Sequence, residues 1–150
     1  MSGRKPQQTD EAIKNIKIYH RETRIITERK RMSKLLYEDL TYKIIGSAQE
    51  VYRELGPGYL ESVYEDALCY ELNLKSVDYQ RQIELDIHYK NVIFKGKFRA
   101  DLLFENKVLV ENKATKKLTK QDEAQLINYL KTTRLRIGLL FNFGAEKFEY

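Results

Sequence analysis

A single mixed α/β domain, an α+β mixed sheet flanked by helices, is the fold class that these 150 residues predict. Three observations predict it. Two helical stripes of apolar residues fill the stretch before residue 75, the apolar period shortens to two after Asp78, and a capped helix separates two strand-like runs near the C-terminus. A chain of this length builds one two-layer core.

Taken in order, Leu40, Ile44, Ile45, Ala48, Val51, Tyr52 and Leu55 form one helical face, with Lys43, Gln49, Glu50 and Arg53 on the other. Gly56-Pro57-Gly58 ends that helix. A second follows through LESVYEDALCYELNL, with Leu60, Val63, Tyr64, Ala67, Leu68, Glu71 and Leu72 as its expected buried face and Asn73 near its stop. Ile83, Leu85, Ile87 and Tyr89 then alternate with polar residues, the pattern of a half-buried strand. Lys90-Asn91 is a turn into VIFKGKFRADLLF, which reads as one long strand or as two short ones kinked at Gly96. Glu105-Asn106 turns the chain into KVLVENKA, completing an antiparallel meander. Thr119 and Asp122 fit a capping box for a helix through DEAQLINYLKTT, and RIGLLFNF is the last strand. A helix between two strands of one sheet implies a crossover, so this strand is expected parallel to residues 108–112.

Composition narrows the function. With 42% hydrophobic and 33% charged residues the chain is globular, and no apolar run approaches the length of a membrane span. The single cysteine, Cys69, excludes an intramolecular disulfide framework, and no Cys/His spacing suits zinc. The opening MSGRKPQQTDEAIK has no secretory pattern, so the expected setting is the cytoplasm. The net charge of +5 is unevenly held: residues 1–36 carry ten Lys/Arg against four acids, and the rest seventeen against eighteen. Residues 1–36 therefore read as a basic extension, a solvated tail or a helix that touches phosphates or a partner, and residues 37–150 as the domain. Met32 offers a natural alternative start for a domain that opens with a helix.

Asp101, Glu111 and Lys113 form the informative cluster, on adjacent predicted strands joined by a short turn. Glu111 and Lys113 point to one face of their strand, with Val110 and Asn112 on the other. Ions emerging from apolar runs cost several kcal/mol each when unpaired, so they should pair, bind a metal or line a cleft. A cross-strand salt bridge, Glu111 with Lys113 or Lys97, is the plainer alternative. Hard oxygen ligands would favour Mg²⁺ or Mn²⁺. Lys95, Lys97 and Arg99 on one strand face, with Lys113, Lys116, Lys117 and Lys120, could neutralise phosphates locally. Gly58 reads as a turn residue, Tyr64 as packing against the sheet, Cys69 as a small buried thiol; His20 and His88 have no companion.

The spacing D-x(9)-E-x-K across a hairpin, in this element order, resembles the PD-(D/E)XK nuclease superfamily and its αβββαβ core. Within it, Gly58-Tyr59-Leu60-Glu61-Ser62-Val63-Tyr64-Glu65 is similar to the signature of the GxxExxY proteins, and RADLLF, VENKA, AQLINYL and GLLFNFG resemble that family's successive blocks. The resemblance implies a metal-dependent nuclease acting on DNA, in repair, recombination or defence. It implies Asp101 and Glu111 as metal-binding carboxylates, the main-chain carbonyl of Asn112 as a further ligand, Lys113 as the catalytic lysine, and a helix acid completing the site, with Glu65 first, Glu61 and Glu50 competing. It further implies Gln125 and Tyr129 as a supporting pair, and the basic strand face adds Arg99 as a candidate phosphate contact. Where family members usually have a proline before the aspartate, this chain has Ala100. The other reading is a nuclease-fold module without catalysis, acting as a homodimer or through a protein partner.

Overall fold

The computed structural model describes Arg31, Lys34 and residues 37–150. The basic extension expected over residues 1–36 and the alternative start at Met32 lie outside the described residues, apart from Arg31 and Lys34. Residues from Leu40 to Tyr150 make one compact unit.

In that unit, helix α1 runs through residues 40–55. Ile44, Ser47, Ala48 and Val51 are its buried face, and the Ser47 hydroxyl is satisfied by the Lys43 carbonyl at 2.8 Å. Helix α2 spans Glu61–Leu74. The link between them is held by Tyr64, whose hydroxyl donates to the Gly56 carbonyl (2.6 Å) and accepts the Tyr59 N–H (3.1 Å). Gly56 and Gly58 take φ of +64° and +115°, which a side chain would disfavour. Tyr64 also stacks on Phe143 with ring centroids 4.8 Å apart.

The buried face of α2 differs from the apolar stripe in the sequence. Tyr64, Glu65, Leu68, Cys69 and Leu72 are buried, whereas Leu60 and Val63 face solvent. Stacking of Tyr64 on Phe143 sets the helix's rotation, and the charge of Glu65 is tolerable there because a cation meets it.

Strands β1 (Gln80–Tyr89), β2 (Val92–Phe104), β3 (Val108–Lys113) and β4 (Ile137–Asn142) form one sheet in the order β1-β2-β3-β4. The first three pair antiparallel and β4 pairs parallel to β3, as the crossover requires. VIFKGKFRADLLF is a single long strand. Its pairing with β1 shifts register between Leu85 and Ile87: Leu85 faces Phe98, but Ile87 faces Phe94. Asp86 holds this bulge by accepting from the Gly96 N–H (3.0 Å) and the Lys95 ammonium (2.9 Å), and Gly96 has φ of +57°.

Helix α3 (Lys120–Thr133) has the expected capping box between Thr119 and Asp122. Phe98, Ala100, Leu109, Leu126 and Leu140 form a buried cluster with it, lined by Ile83, Leu85, Ile87 and Tyr129. After β4 the chain passes so close to the segment following β3 that a Cβ on Gly144 would lie 2.4 Å from the Ala114 carbonyl carbon. Asn142, fully buried, accepts the Thr115 and Gly144 N–H groups at 3.0 and 3.1 Å. The end of β3 is thus anchored just beyond Lys113. Among the described residues no helix is long and apolar enough to cross a membrane.

Candidate active site

Ladder pairing between β2 and β3 covers Leu102–Phe104 against Val108–Val110. One residue beyond the last pair, the side chain of Asp101 takes over from the backbone: its Oδ2 accepts the Asn112 N–H at 2.7 Å. The two strands fork there, and a fork in a sheet opens a place where side chains can converge without a ladder between them. Asp101 Oδ1 accepts from Gln82 Nε2 at 3.2 Å, which fixes the carboxylate from the β1 side.

Glu111, on the other arm of the fork, is not matched by a cation. Its Oε1 is buried and without a hydrogen-bond partner among the described residues. Burial, with the charge of Asp101 adding to it, pushes its carboxyl up to about 8, against an opposing pull from Lys113. Lys113 itself has no carboxylate within ion-pair distance among the described residues, so neither cross-strand salt bridge, with Lys113 or with Lys97, is present.

The helix acids differ. Glu61, in the first turn of α2, is accessible as a residue, yet its carboxyl lies above the usual range, first through burial and then through Asp101, with Lys113 opposing. It therefore shares the electrostatic field of the fork. Glu65, one turn on, has both oxygens taken: Oε1 by a short bond from the Arg81 guanidinium and Oε2 by Gln82 Nε2 at 2.8 Å. Arg81 also reaches Asp66 at 2.6 Å. Glu50 is bonded to Arg53 on α1.

The remaining expected residues are placed as follows. Gln125 donates to the Tyr129 hydroxyl at 3.0 Å, and Tyr129 stacks on Phe98. Neither hydrogen-bonds to Asp101, Glu111 or Lys113 among the described residues. Arg99 is drawn to Glu84 at 3.2 Å and Lys95 to Asp86, so two cations of the expected basic face are spent on β1 acids. The start of α3 lies near the fork, since Lys113 helps hold Asp122 below the usual carboxylate range, after its bonds to Thr119. Arg81 and Gln82 were not legible as site neighbours. Counting back from the Lys90-Asn91 turn places Gln82 opposite Arg99, and only the bulge at Asp86 moves it beside Asp101.

A fork with two acids and a lysine at a strand end is the geometry of this site, and comparison with known families bears on the chain as a whole. A model of the PD-(D/E)XK nuclease superfamily matches residues 38–150. The chain belongs to the PD-(D/E)XK nuclease superfamily. Comparisons with characterised proteins and with solved structures return no significant match. The four-stranded mixed sheet flanked by helices is consistent with the fold of that superfamily.

Superfamily nucleases usually use divalent metals, and this site suits one on its own evidence. The partnerless Glu111 oxygen and the raised carboxyls of Glu111 and Glu61, each pushed up by burial and then by Asp101, are what a cation would relieve. Among the described residues no three His, Cys, Asp or Glu side chains form a ready-made cage. Such an ion would be held by few side chains, a main-chain carbonyl and water, the sparse coordination that magnesium accepts.

Proposed function

We propose that this domain, in the GxxExxY branch of the superfamily, is a cytoplasmic nuclease that hydrolyses phosphodiester bonds of DNA with Mg²⁺ or Mn²⁺. The observation that carries the reading is Glu111: a half-buried carboxyl with one oxygen shut away from water and no cation of its own, beside Asp101 and Lys113 where β2 and β3 part. Asp101, Glu111 and the Asn112 carbonyl would hold the ion. From α2, Glu61 suits the helix-acid role better than Glu65, because Arg81 and Gln82 already occupy Glu65. A divalent ion bound there supplies charge to polarise the scissile phosphate and acidify water.

The protein's own groups do the rest. The Asn112 N–H and Gln82 hold the Asp101 side chain in place, one donor on each oxygen. Glu111, whose carboxyl is raised by burial and by the charge of Asp101, would be the group that a bound cation stabilises in its ionised form. Lys113, a compact cation anchored by the Asn142 and Gly144 turn, is free to orient the attacking water or to meet the negative charge developing on phosphorus. Gln125 and Tyr129, bonded to each other, would support the substrate side of α3.

A silent module working through a protein partner is favoured by one observation, the loss of Arg99 and Lys95 to acids on β1, which thins the basic face. Incubating the protein and its Lys113→Ala variant with labelled single-stranded, duplex and branched DNA and with RNA, in Mg²⁺ and Mn²⁺, separates the two. The nuclease reading predicts metal-dependent cleavage of DNA by the unmodified protein alone. Absence of cleavage from every substrate, with metal bound by neither protein, would leave the module.

A further inference from the structure

The β1–β2 hairpin outgrows the domain. From residue 89 to residue 97 every position is exposed, and only at Phe98 does β2 join the cluster beneath α3. The side chains at this tip are nevertheless apolar: Tyr89, Val92, Ile93 and Phe94 are 55%, 52%, 46% and 45% exposed. The Tyr89 and Phe94 rings stack at 6.2 Å with a 15° interplanar angle, and the Lys90 ammonium stands 5.4 Å from the Tyr89 ring centre. The tip is built rather than frayed, because Asp86 ties both Lys95 and the Gly96 N–H at its base. A contiguous exposed apolar surface of this kind marks a binding face.

Charge says what binds. Across residues 86–97 there are three lysines, Lys90, Lys95 and Lys97, against Asp86 alone, so the tip is basic, whereas residues 37–150 together hold seventeen basic and eighteen acidic residues. Lys95 is paired with Asp86, and Lys90 and Lys97 meet no carboxylate among the described residues. A second copy of this chain docking tip to tip would set these lysines against each other. Stacked aromatic faces bordered by unpaired ammonium groups match nucleic acid instead, the rings taking bases and the cations phosphates.

We propose that the β1–β2 tip is a second nucleic-acid contact that grips the substrate at a distance from the scissile phosphate; this rests on the nuclease reading above. Phe94 lies seven residues along β2 from Asp101, about 23 Å at roughly 3.3 Å per residue. That is about seven steps of B-form duplex at roughly 3.4 Å each. The tip therefore adds affinity only to substrates long enough to reach it.

Fluorescence anisotropy in EDTA tests this on the full chain, with 6-base-pair and 30-base-pair duplexes and a 30-nucleotide single strand as probes. The Tyr89→Ser/Phe94→Ser and Lys90→Glu variants are expected to bind a 30-mer at least tenfold more weakly, with the 6-base-pair affinity and the melting temperature unchanged. Equal binding of both 30-mers by the unmodified protein and both variants overturns the tip contact and leaves the nuclease reading standing. A protein that binds no probe, and whose dimer in sedimentation the variants dissolve, overturns it in favour of a protein interface, the nuclease reading being decided separately by cleavage in Mg²⁺ and Mn²⁺.

Discussion

Two carboxylates at least partly withdrawn from water belong to networks that meet at Gln82, and the fold treats them in opposite ways. Glu65 receives the Arg81 guanidinium and the Gln82 amide, so both oxygens are satisfied. Glu111 has an oxygen without any partner among the described residues, and the acids Asp101 and Glu61 add to its elevation. Gln82 touches both networks, donating to Glu65 and to Asp101. Burial is common to the two sites and cannot be the difference. What differs is whether a cation comes from the chain itself, and its absence at Glu111 is a cost that folding alone gives no reason to retain.

The sharpest way to break this contrast is at the lysine. Lys113→Ala should lower cleavage at least about a hundredfold, the scale of losing one group that meets transition-state charge, while leaving the melting curve in place. Full activity in that variant would remove Lys113 from the chemistry.

Acidity tests the contrast next. The Glu111 carboxyl sits at about 8 in the folded protein against 4.5 for an unperturbed one, so the folded state holds a proton that the unfolded state has lost. Stability in EDTA should accordingly fall as pH rises from about 5 to 8, by up to about 4 kcal/mol, and Glu111→Gln should flatten the profile. The groups that face it are Asp101 and Glu61, which strengthen the effect, and Lys113, which opposes it. Urea titrations at pH 5, 6.5 and 8 read this directly, and parallel profiles for the two proteins would refute it.

Arg81→Ala breaks the satisfied side. It leaves Glu65 buried with only Gln82, at an expected cost of about 2–3 kcal/mol, discounted because Arg81 is partly exposed. Adding Glu65→Gln should recover most of that loss in thermal melting; no recovery would mean that Arg81 acts through Asp66 instead. A smaller effect of opposite sign is expected at Asn112, whose side chain is almost fully buried with neither amide atom partnered among the described residues. Asn112→Leu should raise stability by about 1–2 kcal/mol, and a fall in the denaturation midpoint would show that the amide is satisfied by water.

How far the sequence foretold this site depends on which kind of signal each part left. Period and punctuation sufficed for the sheet, because the alternation of Ile83, Leu85 and Ile87, the Thr119–Asp122 cap and the apolar β3 and β4 runs are local patterns. Asp101, Glu111 and Lys113 were legible for a similar reason: one tight turn fixes the spacing between them. The choice among helix acids was not local. It depends on the rotation of α2, set by Tyr64 on Phe143, and on Arg81 and Gln82 arriving opposite Asp101 through a bulge that Asp86 creates. A hydrophobic stripe cannot report a buried glutamate whose cation comes from another strand.

Calorimetric titration of Mn²⁺ into the protein and into Glu111→Gln, in two buffers of different ionisation heat near pH 6.5, tests the central claim most directly. The account predicts binding to the unmodified protein accompanied by proton release, visible as a buffer-dependent enthalpy, and loss of both in the variant. Absence of binding in the unmodified protein, or identical buffer-independent isotherms for the two, would contradict it.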